Sequence, residues 1–275
     1  MAHTDRQPAV SFRDAKLVVG GRTLWEHLEL DVLPGEFVAI LGPNGTGKTS
    51  LLKALLGLLP LAGGSLTVAG REPTRGSSTV GYVPQQKIFD ADLGLRGRDL
   101  VTMGVDGHRF GMPWPTRAAR ARVDEAIEAV GATAYANVPI GRLSGGEQQR
   151  LRIAQALISD PDVLLCDEPL TSLDLNHQEG VLDLIDRRRR ASDTAILMVT
   201  HEINPILPMV DRILYLVSGN WATGTPEEVL TSERLTQLYG TPIDVLRVRG
   251  RVIVVGGGES PDKSHHCGPT EVIAS

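Results

Sequence analysis

With 275 residues, 41% of them hydrophobic and 22% charged, the chain is able to bury one large core with a subdomain and a small tail, and its net charge of -5 argues against nucleic acid as a partner. Its two cysteines, Cys166 in an apolar run and Cys267 near the end, fit a reducing compartment. No apolar stretch approaches the roughly 20 residues that cross a bilayer, and the polar start Met1 to Arg6 has no signal-peptide core, so a cytoplasmic protein is expected.

In chain order, residues 9 to 36 alternate apolar and polar around Gly20-Gly21, and Leu66-Thr67-Val68 continues that alternation, which predicts a small antiparallel sheet. Phe37 to Leu41, Val163 to Cys166 and Ala195 to Val199 are instead continuous apolar runs, as in strands of a parallel sheet covered on both faces. Helical patterns lie over 49–59, 116–130, 145–158 and 177–190, so strand and helix alternate and an α/β fold follows. The stretch from Leu93 to Val138 is Gly-rich, then charged and helical, and reads as an inserted helical subdomain. After Met209 the pattern predicts a strand over Arg212 to Val217, a helix over Pro226 to Tyr239, and a hairpin from Asp244 to Val255 turning near Gly250. The last twenty residues, rich in Gly, Ser, Pro and His, read as a loose tail.

Gly42-Pro43-Asn44-Gly45-Thr46-Gly47-Lys48-Thr49 matches the Walker A pattern, directly after an apolar strand and at the start of a helical pattern, with Ser50 as a further phosphate-binding candidate. Glycines let the backbone wrap phosphates so that amide hydrogens and a helix N-terminus face the negative charge. Lys48 would reach the β and γ phosphates, and the Thr49 hydroxyl would bind Mg²⁺. The run Val163 to Cys166 ends in Asp167-Glu168, which places two carboxylates at the carboxyl end of a core strand, where open α/β sheets bind ligands. Asp167 would hold Mg²⁺ through water, and Glu168 would orient or deprotonate the attacking water.

Leu143-Ser144-Gly145-Gly146-Glu147-Gln148-Gln149-Arg150 resembles the signature motif of ATP-binding cassette proteins and precedes the Asp167-Glu168 strand by a short helix, as in that family. Its physical logic is a second anion cradle, with the Ser144 hydroxyl and the free amides of Gly145 and Gly146 at a helix start. Tyr82-Val83-Pro84-Gln85 is similar to the family's Q-loop, and Thr171-Ser172-Leu173-Asp174 to its D-loop. Val199-Thr200-His201, after what reads as the last core strand, is similar to its switch histidine. The resemblance covers roughly residues 10 to 240. It implies a P-loop NTPase core with a parallel sheet, an N-terminal antiparallel β subdomain, and an inserted helical subdomain over about 93–160. The cassette would span 9–240, followed by a C-terminal β-hairpin extension over 241–256 and a flexible tail over 257–275.

The same resemblance implies hydrolysis of ATP with Mg²⁺, with Lys48, Gln85, Glu168 and His201 in catalysis and Gln85 beside Thr49 and Asp167 at the metal. It also implies a head-to-tail dimer of two copies, in which Ser144, Gly145, Gly146 and Asp174 complete the other copy's site. Two membrane-spanning permease subunits would hold the chain at the inner face of a bacterial membrane. His201-Glu202-Ile203-Asn204-Pro205-Ile206-Leu207, Gly224-Thr225-Pro226 and Leu238-Tyr239-Gly240 are similar to the branch serving zinc, manganese or iron importers, which adds an extracytoplasmic metal-binding protein. The alternatives are a soluble cassette ATPase acting on nucleic acid or ribosomes, and a motor for another substrate.

One departure from the family stands out, because Val19 falls where an aromatic residue usually stacks on adenine. Phe12 and Trp25 could substitute but read as core residues. Ser264-His265-His266-Cys267 could offer transition-metal ligands yet reads as a solvated tail. Arg187-Arg188-Arg189-Arg190 reads as a solvated helix end, where cations complement the helix dipole.

Overall fold

The computed structural model describes residues 7–85, 89–90, 93–106, 116–171 and 173–256. Ser172 and the tail with His265, His266 and Cys267 lie outside the described residues.

Three strands, β1 (Val10–Val19), β2 (Arg22–Val32) and β4 (Gly63–Val68), form the antiparallel sheet in the order β2-β1-β4. The turn between β1 and β2 is Gly20-Gly21, both at positive φ. The continuous apolar runs become β3 (Phe37–Leu41), β6 (Val163–Asp167) and β7 (Ala195–Val199), every residue of which is buried. They belong to a six-stranded sheet of order β5-β6-β7-β3-β8-β9, completed by β5 (Val80–Val83), β8 (Arg212–Val217) and β9 (Asn220–Gly224). All its pairs are parallel except β8 with β9.

Period-two side-chain alternation explains why these strands are apolar throughout. Phe37, Ala39 and Leu41 of β3 enter one core cluster, with residues of the helices α4 (Gly145–Leu157) and α5 (Leu175–Ser192). Val38 and Ile40 enter the other, with α1 (Lys48–Leu55) and the antiparallel sheet. The helices α2 (Gly97–Asp106), α3 (Arg117–Ala129) and α4 pack on one another in the stretch expected to be helical.

Three expectations change, and one strand is added. The first helix ends at Leu55, where Gly57 at φ 67 turns the chain, and not at Leu59. The strand of His201 is not the last of the core, because β8 follows it in sequence and pairs with β3 on the side opposite β7. The edge strand β9 was not legible, since Asn220-Trp221-Ala222-Thr223-Gly224 carries no apolar run. The helix over 226–239 is two helices, α6 (Pro226–Val229) and α7 (Ser232–Tyr239), because Thr231 leaves the helix and caps α7 by accepting from the Arg234 amide.

The hairpin is present as β10 (Ile243–Val248) and β11 (Arg251–Gly256), joined by Arg249-Gly250, both at positive φ as a two-residue turn requires. The arginine run sits near the end of α5, and three of its four members meet carboxylates. Arg188 pairs with Asp160, Arg189 with Asp186 and Asp211, and Arg190 with Asp186.

Candidate nucleotide-binding site

The carboxyl ends of β3, β7 and β6 lie side by side, so the loops that leave them converge. The loop after β3 turns through Gly42 (φ 136), Gly45 (φ 78) and Gly47 (φ 97) into α1. A side chain at Gly42 would collide with the Leu216 backbone of β8, and one at Gly47 would press on Leu24 and on the Trp25 indole nitrogen at 3.2 Å. Among the described residues the amides of Gly45, Thr46, Gly47, Lys48, Thr49 and Ser50 have no acceptor, and the first amide bonded within the turn is that of Leu51, to the Gly47 carbonyl. A row of free donors at a helix N-terminus suits a polyphosphate.

Lys48 lies buried and donates to the carbonyls of Gly42 (2.6 Å) and Pro43 (2.8 Å), while the Thr46 hydroxyl donates to Pro43 (3.0 Å). Burial lowers the Lys48 pKa, against the opposing pull of Glu168 and Asp167. At the end of β6, Asp167 accepts from the Thr49 hydroxyl at 3.3 Å and from the Tyr82 hydroxyl at 3.5 Å. Burial is the main cause that raises its pKa, the two hydrogen bonds acting the other way and Glu168 adding to the rise. Burial, with Asp167 as the next cause, pushes Tyr82 up to about 12.

Glu168 occupies the left-handed region at φ 48, a strained backbone for a side chain of its size, and its amide is fixed to the Val199 carbonyl of β7 at 2.9 Å. The turn aims its carboxylate at three groups from three loops. Gln85 Nε2 donates at 3.1 Å, the Thr171 hydroxyl donates at 3.2 Å, and His201 Nδ1 stands 3.6 Å away.

A pocket of about 730 Å³ joins these parts, lined by Asn44, Gly45, Gly47, Lys48, Thr49 and Ser50, by Gln85, Glu168 and His201, and by Val19 with Leu24. Val19 is 40% exposed there. Phe12 and Trp25 are fully buried and pack edge to face at 6.0 Å, so neither ring reaches the pocket wall and the core reading of both holds. Leu24 and the hydroxyls of Tyr82 and Thr171 are additions to the expected site. For Leu24 a signal existed, since the two-residue turn at Gly20-Gly21 folds β2 back beside Val19.

Ser144, Gly145, Gly146 and Asp174 do not line this pocket. Ser144 caps α4 in a capping box, its hydroxyl accepting from the Glu147 amide and its amide donating to the Glu147 carboxylate at 2.8 Å. Among the described residues the amides of Gly145 and Gly146 have no acceptor. Asp174 caps α5 and binds Nδ1 of His177 at 2.6 Å, and the His177 ring lies against Gly146. Within one chain, then, there are a nucleotide pocket and, apart from it, a second short row of free helix-start amides.

Known proteins share this organisation. A family model described as ABC transporter matches residues 25–171. The zinc transport system ATP-binding protein TroB of Treponema pallidum is 36% identical over 217 residues, covering 79% of this chain and 81% of that protein. The manganese transport system ATP-binding protein MntB of Bacillus subtilis is 33% identical over 222 residues, covering 81% and 88%. Among solved structures, an inward-facing metal-chelate type ABC transporter aligns with a TM-score of 0.76 at 27% identity, over 90% of this chain and 96% of that one. The family match spans more than half of the chain, the relatives align over more than four fifths of their own length, and the phosphate loop shares one pocket with Glu168 while Asp167 stands 3.3 Å from its Thr49, so the chain belongs to the ABC transporter family as one of its ATPases.

Proposed function

We propose that this ATPase powers uptake of a divalent metal ion, zinc, manganese or iron, through separate membrane subunits. The observation that carries the catalytic half is the convergence of Lys48, Thr49, Gln85, Glu168 and His201 on one pocket, and the metal half rests on relatives that serve zinc and manganese transport.

In this reading the amides of Gly45 to Ser50, with Pro43 and Asn44 shaping the turn, hold the triphosphate, and Lys48 exchanges its loop carbonyls for phosphate oxygens. The site suits Mg²⁺, a hard cation that keeps several waters and takes few protein ligands, because the Thr49 hydroxyl and an Asp167 oxygen stand 3.3 Å apart with Gln85 on the same pocket. Such an ion would neutralise charge developing on the phosphates. Glu168 takes the proton of the attacking water, and its strained turn together with Gln85, Thr171 and His201 fixes where that carboxylate points. Val19 and Leu24 give the base an aliphatic wall.

Ser144, Gly145, Gly146 and Asp174 of a second copy face the γ-phosphate in a head-to-tail dimer, which accounts for their place outside the chain's own pocket. A groove of about 590 Å³ adjoins the Gln85 segment, lined by Tyr82, Pro84 and the half-exposed Met103, and suits a permease element that reports to Gln85. No helix among the described residues is long and apolar enough to cross a membrane. In the proposed assembly two permease subunits form the pore, with the chain at the inner membrane face and an extracytoplasmic protein delivering the metal. The cassette is 9–240, with the helical subdomain over about 93–160 and the hairpin extension over 241–256.

The test is reconstitution with the neighbouring permease in liposomes. MgATP-driven accumulation of zinc or manganese is expected from the wild type, and Glu168→Gln should bind ATP yet lose most hydrolysis and accumulation. Wild-type turnover in Glu168→Gln would reject the catalytic assignment. Robust ATPase activity with no metal accumulation would reject the cargo.

A further inference from the structure

The hairpin β10–β11 is fastened to the body by two different elements. On the β10 side, the Thr236 hydroxyl of α7 accepts from the Ile243 amide at 2.9 Å, and the Ser232 hydroxyl accepts from the Val245 amide at 2.9 Å. On the β11 side the fastening comes from Asn204, three residues after His201. Its Nδ2 donates to the Val252 carbonyl at 3.0 Å and its Oδ1 accepts from the Val252 amide at 2.8 Å.

The hairpin's register explains why Val252 is available. A two-residue turn makes its flanking pair, Val248 and Arg251, exchange backbone hydrogen bonds, so Val252 turns its N–H and C=O outward at the sheet edge. The Asn204 amide presents a donor and an acceptor side by side, as an added strand residue would. Val252 is itself buried, in the same core cluster as Ile203, Ile206 and Ile243, so without Asn204 its N–H and C=O would be left with no partner among the described residues. The outer face of the hairpin, with Leu246, Val248, Ile253 and Val255, is about half exposed and contributes no comparable anchor.

The segment before Asn204 is short and pinned at its other end. Thr200 has its amide on the Ile40 carbonyl of β3, and its hydroxyl accepts from the Glu202 amide and donates to the Glu202 carbonyl. His201 therefore sits in a span held by the central sheet on one side and by the hairpin on the other, with Nδ1 3.6 Å from Glu168.

We infer that Asn204 is a positioning residue through which the C-terminal hairpin sets the placement of His201 against Glu168, so that the hairpin and the hydrolytic site move as one coupled unit. The inference rests on the proposal that His201 acts at the hydrolytic site. It adds a role to a segment with no contact to the nucleotide pocket.

The experiment combines steady-state kinetics with hydrogen exchange on the full chain. Asn204→Ala should lower kcat about five- to tenfold with KM within about twofold, because the phosphate loop is untouched. Asn204→Asp, which keeps an acceptor for the Val252 amide but loses the donor to its carbonyl, should fall between. In the wild type, MgATP should change exchange in peptides covering 251–256, and this change should vanish in His201→Ala, a readout that needs no Asn204 variant. If His201→Ala keeps wild-type turnover, the underlying role of His201 fails. If His201→Ala loses turnover while folded Asn204→Ala keeps it, or if MgATP leaves exchange over 251–256 unchanged in the wild type, the coupling through Asn204 is overturned.

Discussion

The contact between Gly146 and His177 yields a prediction whose sign reverses with background. A methyl group at Gly146 would stand 2.7 Å from Cγ of the His177 ring and 3.0 Å from its Nε2, where non-bonded carbons normally keep about 3.5 to 4.0 Å. Cδ2 of the ring lies closer still, so the ring would have to retreat by about 1.5 Å, and it is held by the 2.6 Å contact of Nδ1 with Asp174. Overpacking of this kind costs about 1–3 kcal/mol, whereas Ala in place of Gly in a helix returns about 0.5–1 kcal/mol. Gly146→Ala should thus destabilise the wild type by up to about 2.5 kcal/mol, with about 1 kcal/mol as the central expectation. In a His177→Ala background the three atoms nearest the methyl are gone and the helix gain is no longer opposed by the ring, so the same substitution should stabilise by about 0.5–1 kcal/mol. The coupling energy of the cycle is then about 1–3 kcal/mol. Urea unfolding of the four proteins, followed by circular dichroism with a shared m-value, measures it. Destabilisation, or stabilisation, of equal size in both backgrounds would show that the His177 ring does not oppose a side chain at Gly146.

Two further perturbations probe the nucleotide pocket and its second copy. Ser144→Arg should abolish hydrolysis by crowding a γ-phosphate bound to the other copy while leaving nucleotide binding by the isolated chain unchanged. Mixing it with Lys48→Ala subunits should restore about a quarter or less of wild-type turnover, from the single competent composite site of each heterodimer, and normal hydrolysis in Ser144→Arg alone would reject the head-to-tail geometry. Val19→Tyr should tighten ATP binding by about two- to tenfold, the worth of one aromatic stacking contact, and should sharpen the weak preference for ATP over GTP that an aliphatic wall of Val19 and Leu24 provides. Titration calorimetry reads both affinities, and an unchanged ATP affinity in Val19→Tyr would place the base elsewhere.

What the sequence made legible divides by the range of the interaction involved. The strands β3, β6 and β7 were plain because burial on both faces leaves every position apolar, and the phosphate loop was plain because its glycines, lysine and threonine are contiguous. The break between α6 and α7 was present in the sequence as two threonine caps, Thr225 with Glu228 and Thr231, but the helical period runs through it and conceals it. Other features exist only once the chain is folded. The setting of the Glu168 carboxylate depends on Gln85, which is 83 positions away, and on a turn at positive φ that no residue type announces. Asn204 and Val252 are 48 positions apart, and nothing in either residue signals the pairing, because an asparagine amide can satisfy any strand edge it meets. The same reasoning explains the second glycine of the signature. Read as sequence, Gly146 is a free amide at a helix start; in the fold it is also the only residue that leaves room for the His177 ring. That ring ties the start of α4 to the Asp174 cap of α5, so the two segments assigned to the other copy's nucleotide are already joined before that copy arrives.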